Sequence, residues 1–277
     1  MERTKEMEEW KVKLVKALEK SGKNAYKYFF NNLKFDVDFQ INEREDFINN
    51  SKKGIKWFVG QTFWQGRRDW LSDVYRRAFF RAFDSIYGSE EITANSFEER
   101  KVRILVEKFE SEVKKLEKKS GEPYEINLRD KKRVEDIFLK FLPRLEKYQY
   151  NPVRFVVEEI KNGNLVKLFR EEFKVYGMGT KIKSFILREI VQVFDLEELI
   201  KKDIESLKLL FPVDTHVRQI IQLIWSEVKG KKDEKLAEYA IEECKKLKVS
   251  PLYFNSGCWV LGFNAQEAFD ILMGRIK

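Results

Sequence analysis

Two glycines on either side of one apolar residue, Gly177-Met178-Gly179, constrain the fold of this chain more than any other feature. The residues before them (165–176) and those from Lys181 onward both have the apolar spacing of helices. Glycine adopts positive φ without a Cβ clash, so the pattern predicts a tight hairpin between two helices. The first N–H groups of a helix have no intrahelical partners. The sequence therefore predicts an anion site at the start of the second helix, where a DNA phosphate would fit.

A second motif follows the hairpin in the order GMGTK (177–181), then PVDTHVR (212–218). This order resembles the helix-hairpin-helix DNA glycosylase superfamily, which includes endonuclease III. In that family the lysine after the hairpin attacks the sugar and the aspartate of the second motif assists. The resemblance implies these catalytic roles for Lys181 and Asp214. Asp214 also lies at a predicted helix start after Pro212, where aspartate is a preferred N-cap, so it is expected to cap that helix as well. The wide separation of the two residues is most similar to the archaeal 8-oxoguanine DNA glycosylase branch.

Three further residues match base-binding positions of that family. The stretch WFVGQTFWQG (57–66) resembles the segment whose glutamine faces the flipped base or the gap it leaves, which implies this role for Gln61. The archaeal branch places a pocket tryptophan just after a glycine-containing turn, which implies Trp70. Phe185 lies four residues after Lys181, on the same helix face, and resembles the phenylalanine that stacks on the base. Packing in the core, or capping for Gln61, is the alternative role for each.

Asn255 and Trp259, near the C-terminal end, lie four residues apart in SPLYFNSGCWVLGF (250–263). They resemble the carboxylate and the tryptophan with which the archaeal branch reads the oxidised base. The first position is an asparagine in this chain, and its amide offers a donor and an acceptor but no charge. The lesion that this chain recognises therefore stays open.

Contacts to the DNA backbone are expected from Gly177, Gly179, Lys183 and Arg188. For Lys183 the alternative is a solvated side chain. His216 is the one histidine of the chain. It could contact the backbone or donate a local hydrogen bond, so it is given no role.

Composition narrows the function classes. Lys plus Arg number 54 and Asp plus Glu 46, a formal net charge of +8, which suits a polyphosphate partner as well as an ordinary solvated surface. Two cysteines cannot supply a four-cysteine zinc site or iron–sulfur cluster, and one histidine excludes a multi-histidine metal site. No metal or cofactor is expected. The high charged fraction is typical of thermophiles.

The expected fold is all-α, with a helix at 2–20, a loop with an extended piece at 21–40 and a long helix at 91–119. The resemblance implies two lobes, a helical barrel with the hairpin at 45–194 and a second lobe from 1–44 plus 195–277, with the active site in the cleft between them. No apolar run is long enough for a membrane span. The N-terminus does not have the pattern of a signal peptide, so a cytoplasmic monomer is expected.

The predicted function is that of a bifunctional DNA glycosylase and AP lyase. It would excise an oxidised base, 8-oxoguanine by the resemblance, from double-stranded DNA through a lysine Schiff base. A glycosylase for another damaged base is one alternative. A helix-hairpin-helix protein that binds DNA without cutting it is the other.

Overall fold

The computed structural model describes residues 2–32, 44–63, 69–116 and 121–263. Over these ranges the regular structure is helical and contains no β-strand, so the predicted all-α class is confirmed. None of the helices in these ranges combines the length and the apolar character that crossing a membrane requires.

The described ranges contain the following α-helices in chain order: α1 (Glu2–Asn32), α2 (Arg44–Asn49), α3 (Ser51–Thr62), α4 (Asp69–Tyr87), α5 (Glu99–Lys114), α6 (Leu128–Asp136), α7 (Pro152–Lys161), α8 (Leu165–Lys167), α9 (Thr180–Val193), α10 (Glu197–Ile200), α11 (Ile204–Leu209), α12 (Thr215–Ile224), α13 (Asp233–Lys246) and α14 (Pro251–Phe263). Short 3₁₀ or π-helical turns lie between some of them: Ala94–Phe97, Ile137–Phe141, Leu142–Tyr148, Leu168–Glu172 and Ser226–Val228.

The chain divides into two compact units. Unit 1 comprises Met1–Lys34 and Ile200–Lys277, and unit 2 comprises Phe35–Leu199. The division expected from the resemblance is 45–194 against 1–44 plus 195–277. Lys181 belongs to unit 2 and Asp214 to unit 1.

Aromatic rings form the core of unit 2. Phe58 of α3 stacks on Phe141, with ring centroids 5.3 Å apart, and Phe173 lies 5.6 Å from each of them. All three side chains are fully or almost fully buried, and each contributes about 1.5–3 kcal/mol through the removal of apolar surface from water. Phe173 lies just before the glycine hairpin, so the entry to the hairpin is fixed to this core.

A buried amide joins two other helices of unit 2. The Asn151 side chain caps α7, accepting hydrogen bonds from the N–H groups of Val153 (3.0 Å) and Arg154 (3.1 Å). Its NH₂ group donates to the carbonyls of Phe47 (2.7 Å) and Ile48 (2.9 Å) in α2. One side chain therefore satisfies helix-end groups of both helices.

Unit 1 contains a close crossing of α1 and α14. A Cβ on Gly22 would lie 2.0 Å from the Tyr253 carbonyl oxygen, and one on Gly257 would lie 1.9 Å from the Leu18 carbonyl oxygen. Both positions therefore require glycine. The loop expected at 21–40 is wrong for residues 21–32, which continue α1. Packing on α14 outweighs the weak helix propensity of Gly and Asn in this stretch, and residues 33–40 lie outside the described ranges.

The helix expected at 91–119 is shorter than predicted. A 3₁₀ turn at Ala94–Phe97 comes first, and Glu98, which is extended (φ −62°, ψ 138°), separates it from α5. The turn is fixed by the Ser96 hydroxyl, which accepts a hydrogen bond from the N–H of Thr93 (3.1 Å). A local side-chain bond of this kind competes with a continuous helix.

Candidate functional site

The glycine hairpin leads directly into α9. The first helix predicted for it, 165–176, ends early: α8 is followed by a π-helical turn that stops at Glu172. Gly177 has φ +70°, as the pattern predicts. The N–H of Met178 donates to the Val175 carbonyl (3.1 Å), and the Met178 side chain is buried. The hairpin therefore exists as a tight turn anchored by an apolar side chain.

A buried arginine of α6 holds the hairpin from the protein interior. Arg133 and its ion-pair partner Asp130, 2.8 Å away, both have side chains that are 0% exposed. The Arg133 guanidinium donates from Nη2 to the Gly177 carbonyl (3.1 Å) and from Nη1 to the Thr62 carbonyl (3.0 Å). A Cβ on Gly177 would lie 3.0 Å from Nη2. Gly177 is thus required both by its φ and by the approach of Arg133.

A second residue of α6 holds the other side of the turn. The Asp136 carboxylate accepts a hydrogen bond from the N–H of Tyr176 (2.6 Å) and pairs with Lys140 (2.7 Å). Arg133 and Asp136 therefore contact neighbouring residues of the hairpin, one as donor and one as acceptor.

The start of α9 is open. Gly179 is its N-cap, provides no side-chain cap, and has φ −72°, which any residue could adopt. A Cβ built on Gly179 would meet no atom within 4 Å. Lys181 lies in the first turn of α9 and is exposed. The backbone at Gly179 is thus accessible to a ligand, and Lys181 is an exposed residue two positions later.

Lys183 makes contacts within its own unit, unit 2. Its ammonium group donates to the Phe169 carbonyl (3.3 Å) and lies over the Phe169 ring, 5.8 Å from the centroid. Burial, and to a lesser degree the nearby Lys174, lower the pKa of Lys183. Lys183, from which a contact to the DNA backbone is expected, therefore binds the π-helical turn that precedes the hairpin.

Phe185 and Arg188 of α9 form a stacked pair. The Arg188 guanidinium lies 5.2 Å from the Phe185 ring centroid, and Arg188 is 3% exposed. Its Nη2 pairs with Glu189 at 3.2 Å. Burial raises the pKa of Glu189, and Arg188 opposes that rise. Arg188 therefore supports Phe185 from within the fold.

Gln61 lies in the last turn of α3 and is half-buried. Next to it, the backbone of Gly60 packs against Arg76 of α4, whose Cγ would lie 3.1 Å from a Cβ there. On its other side, Thr62 is the residue whose carbonyl receives the Arg133 hydrogen bond. The Arg133 guanidinium thus hydrogen-bonds both the end of α3 and the hairpin. The side chain of Trp70 lies outside the described part of the structure.

In unit 1, Asp214 is the N-cap of α12. Its carboxylate accepts a hydrogen bond from the N–H of Val217 (2.9 Å), as expected for an aspartate at this position. The Asp214 side chain is half-buried. Its charge also adds to the effect of burial and of Cys244 in raising the pKa of Cys258 in α14. The carboxylate therefore lies near α14.

Asn255 of α14 anchors the same segment. The residue is 0% exposed, and its NH₂ group donates to the Pro212 carbonyl (3.1 Å), two residues before Asp214. A carboxylate could not donate this bond, which gives a structural reason for asparagine at this position. Trp259, one turn later, is half-buried.

His216 packs against α14. A Cβ built on Gly262 would lie 2.2 Å from the His216 Cβ, so the histidine and the glycine backbone are in direct contact. This contact fixes the first turn of α12, which carries Asp214 as its cap, against α14.

Sequence reasoning missed Arg133 and Asp136 of α6. A signal existed for Arg133. It is spaced with Val134 and Ile137 on the apolar face of α6, where a charged residue needs a partner. Asp130, one turn earlier on the same face, supplies that partner.

Comparisons with known proteins give no relatives: no family model, no curated protein and no solved structure matches this chain. In the described part of the chain, no group of three or more His, Cys, Asp or Glu side chains is placed to hold a metal ion.

Proposed function

We propose that this protein is a bifunctional DNA glycosylase and AP lyase that excises an oxidised base. The hairpin carries the proposal: a glycine turn with Gly177 at positive φ leads into a helix whose start is open at Gly179 and whose first turn exposes Lys181. This arrangement supports binding of a backbone phosphate at the hairpin, with an amine beside it. We keep Gly177 and Gly179 as the backbone contacts and assign Lys183 and Arg188 to the internal support of α9.

The mechanism begins with the amine of Lys181 in its neutral form, which desolvation by bound DNA or a nearby cation favours. The amine attacks C1′ of the damaged nucleotide, the C1′–N bond breaks, and the base leaves with its bonding electrons and takes up a proton. The attached nitrogen then loses a proton, and its lone pair opens the sugar ring to a Schiff base as O4′ takes up a proton. Loss of a C2′ proton expels the 3′ phosphate, which cuts the strand on the 3′ side.

Asp214 supplies the negative charge of this mechanism. Its carboxylate would stabilise the positive charge that develops on the sugar and assist proton transfer. One of its oxygens is held by the N–H of Val217, which fixes the carboxylate without neutralising it. In this proposal the Asp214 side chain both caps α12 and takes part in catalysis.

Borohydride trapping on a duplex with one 8-oxoguanine tests this function. Wild type should give a covalent adduct, and Lys181→Gln should give none. Lys183→Gln is the matched control, because it removes the neighbouring lysine of α9, the one whose pKa is lowered. An adduct lost in Lys183→Gln but kept in Lys181→Gln would move the nucleophile to Lys183.

Two Asp214 variants separate chemistry from folding. Asparagine caps helices as well as aspartate does, so Asp214→Asn should keep the fold and lose most of the trapping rate. Asp214→Ala should lose the same activity and, in addition, about 1 kcal/mol of stability through the lost cap. Equal activity of Asp214→Asn and wild type would give Asp214 a capping role alone.

A glycosylase for a different oxidised base is the second candidate, because one donor of the Asn255 amide already serves Pro212. An adduct on thymine glycol and none on 8-oxoguanine would select it. No adduct on any duplex, with DNA binding intact, would leave a protein that binds DNA without cutting it.

A further inference from the structure

The Arg133 side chain hydrogen-bonds both the α3 end and the hairpin. Its two acceptors are the carbonyls of Thr62, next to Gln61, and of Gly177, the first glycine of the hairpin. The third partner, Asp130, fixes the guanidinium itself, and neither side chain of this pair is exposed.

We propose that Arg133 is a positioning residue: it sets the spacing between Gln61 and the hairpin, and so determines how well the protein holds a nucleotide turned out of the duplex. This inference rests on the proposed glycosylase function. The hairpin would hold the phosphate of the turned-out nucleotide while Gln61 enters the gap left in the stack. Both actions must occur over a fixed distance, and the guanidinium bridges the two segments that perform them.

Arginine suits this position for a geometric reason. Its guanidinium is planar and presents donors in fixed directions, so one group can satisfy the carbonyls of Thr62 and Gly177 and the carboxylate of Asp130 together. A lysine keeps the charge but concentrates its donors on one atom and cannot span the same three acceptors. Arg133→Lys therefore removes the bridge and keeps the charge beside Asp130.

A purely structural role would affect all steps alike, whereas a positioning role affects the step that turns out the base. An abasic sugar leaves the duplex at lower cost because it has no base to unstack. Trapping rates on an abasic duplex and on a duplex with an intact damaged base thus separate the two roles. Arg133→Lys should lower the rate on the base-containing duplex by about tenfold more than the rate on the abasic duplex, the size of effect that losing one charged hydrogen bond produces.

The matched control is Asn151→Asp. It removes two buried hydrogen bonds of the same unit, those to α2, and touches neither the end of α3 nor the hairpin. This variant should lower both trapping rates equally or not at all. Circular dichroism and urea unfolding verify that each variant is folded. Gly177→Ala provides a second variant, because its Cβ would lie 3.0 Å from Arg133 Nη2 and push on the bond to the hairpin, and it should shift the rate ratio in the same direction.

A double-mutant cycle tests whether Arg133 acts through Gln61. In a Gln61→Ala background, Arg133→Lys should no longer change the rate ratio, because the group it positions is gone. Additive effects in the double variant would overturn the inference, as would an Arg133→Lys ratio equal to that of Asn151→Asp. Both results need a wild-type adduct, so they leave the proposed function intact. Absence of a wild-type adduct on every duplex would remove the proposed function and this inference together.

Discussion

The segments that carry Lys181 and Asp214 are held in place by different chemistry. The hairpin before Lys181 is fixed by charged side chains of another helix, Arg133 and Asp136. The segment of Asp214 is fixed by its own helix cap and by the neutral amide of Asn255. A buried charge binds several groups at once but leaves a large penalty when its partner is lost. The Asn255 amide carries no charge, so its hydrogen bond to the Pro212 carbonyl is insensitive to pH over the ordinary range.

The largest effect should come from breaking the charged anchor of the hairpin. Asp130→Asn leaves Arg133 buried without its counter-charge, which costs about 3–5 kcal/mol. Urea unfolding followed by circular dichroism measures this loss.

The control for that variant is an exposed ion pair. Arg218 and Asp233 are 46% and 48% exposed and 2.7 Å apart, so Asp233→Asn should cost less than about 1 kcal/mol. Similar losses in the two variants would mean that the Asp130–Arg133 pair contributes no more than a surface pair.

Breaking the hydrogen bond of the neutral Asn255 amide should cost less stability, and the cost should depend on pH. Asn255→Asp replaces the donor that faces the Pro212 carbonyl with a group that donates only when protonated, at a cost of about 1–3 kcal/mol at neutral pH. The cost should shrink on acidification, because the protonated carboxyl can donate again. Unfolding of wild type and variant at mildly acidic and neutral pH measures the difference. A cost that does not change with pH would show that the Pro212 bond is not what Asn255 supplies.

Two alanine substitutions compare the two glycines of the hairpin directly. Gly177→Ala meets both a positive φ and the Arg133 guanidinium, and should cost about 1–2 kcal/mol. Gly179→Ala has ordinary φ and open space, so it should cost less than Gly177→Ala, because only the weaker N-cap preference of alanine counts against it. Thermal unfolding of both variants measures the contrast. Equal losses would mean that neither the φ nor the contact with Arg133 defines the turn.

The smallest effect concerns a second buried charge in unit 2. Burial raises the pKa of Glu189, so the folded state holds this proton more tightly than the unfolded state does. Stability from this group is present below the ordinary glutamate pKa and is lost as pH rises through the folded value. Glu189→Gln should therefore show a flatter fall in stability from mildly acidic to neutral pH. An unchanged slope would show that another group produces the fall.

The sequence predicted the features that depend on local chemistry. Gly177 follows from the need for positive φ between two helices, and Asp214 as a cap follows from its position before α12. The all-α class follows from apolar spacing. Each of these depends on a few neighbouring residues, which is the range over which backbone geometry and capping act.

The features that the sequence did not predict depend on distant partners. Arg133 is recognisable only when Thr62 and Gly177 are seen to converge on it. Residues 21–32 look like a loop until α14 is placed against α1.

The crossing of α1 and α14 has a consequence for the order of folding. Unit 2 is one uninterrupted stretch, so it can collapse as soon as its residues have been synthesised. Unit 1 cannot, because the surface of α1 around Gly22 matches α14, which emerges from the ribosome only after the whole of unit 2. During that interval the apolar face of α1 is not yet covered by α14. Slow translation or damage to α14 would therefore affect unit 1 before unit 2, because α1 would lack the helix that covers it.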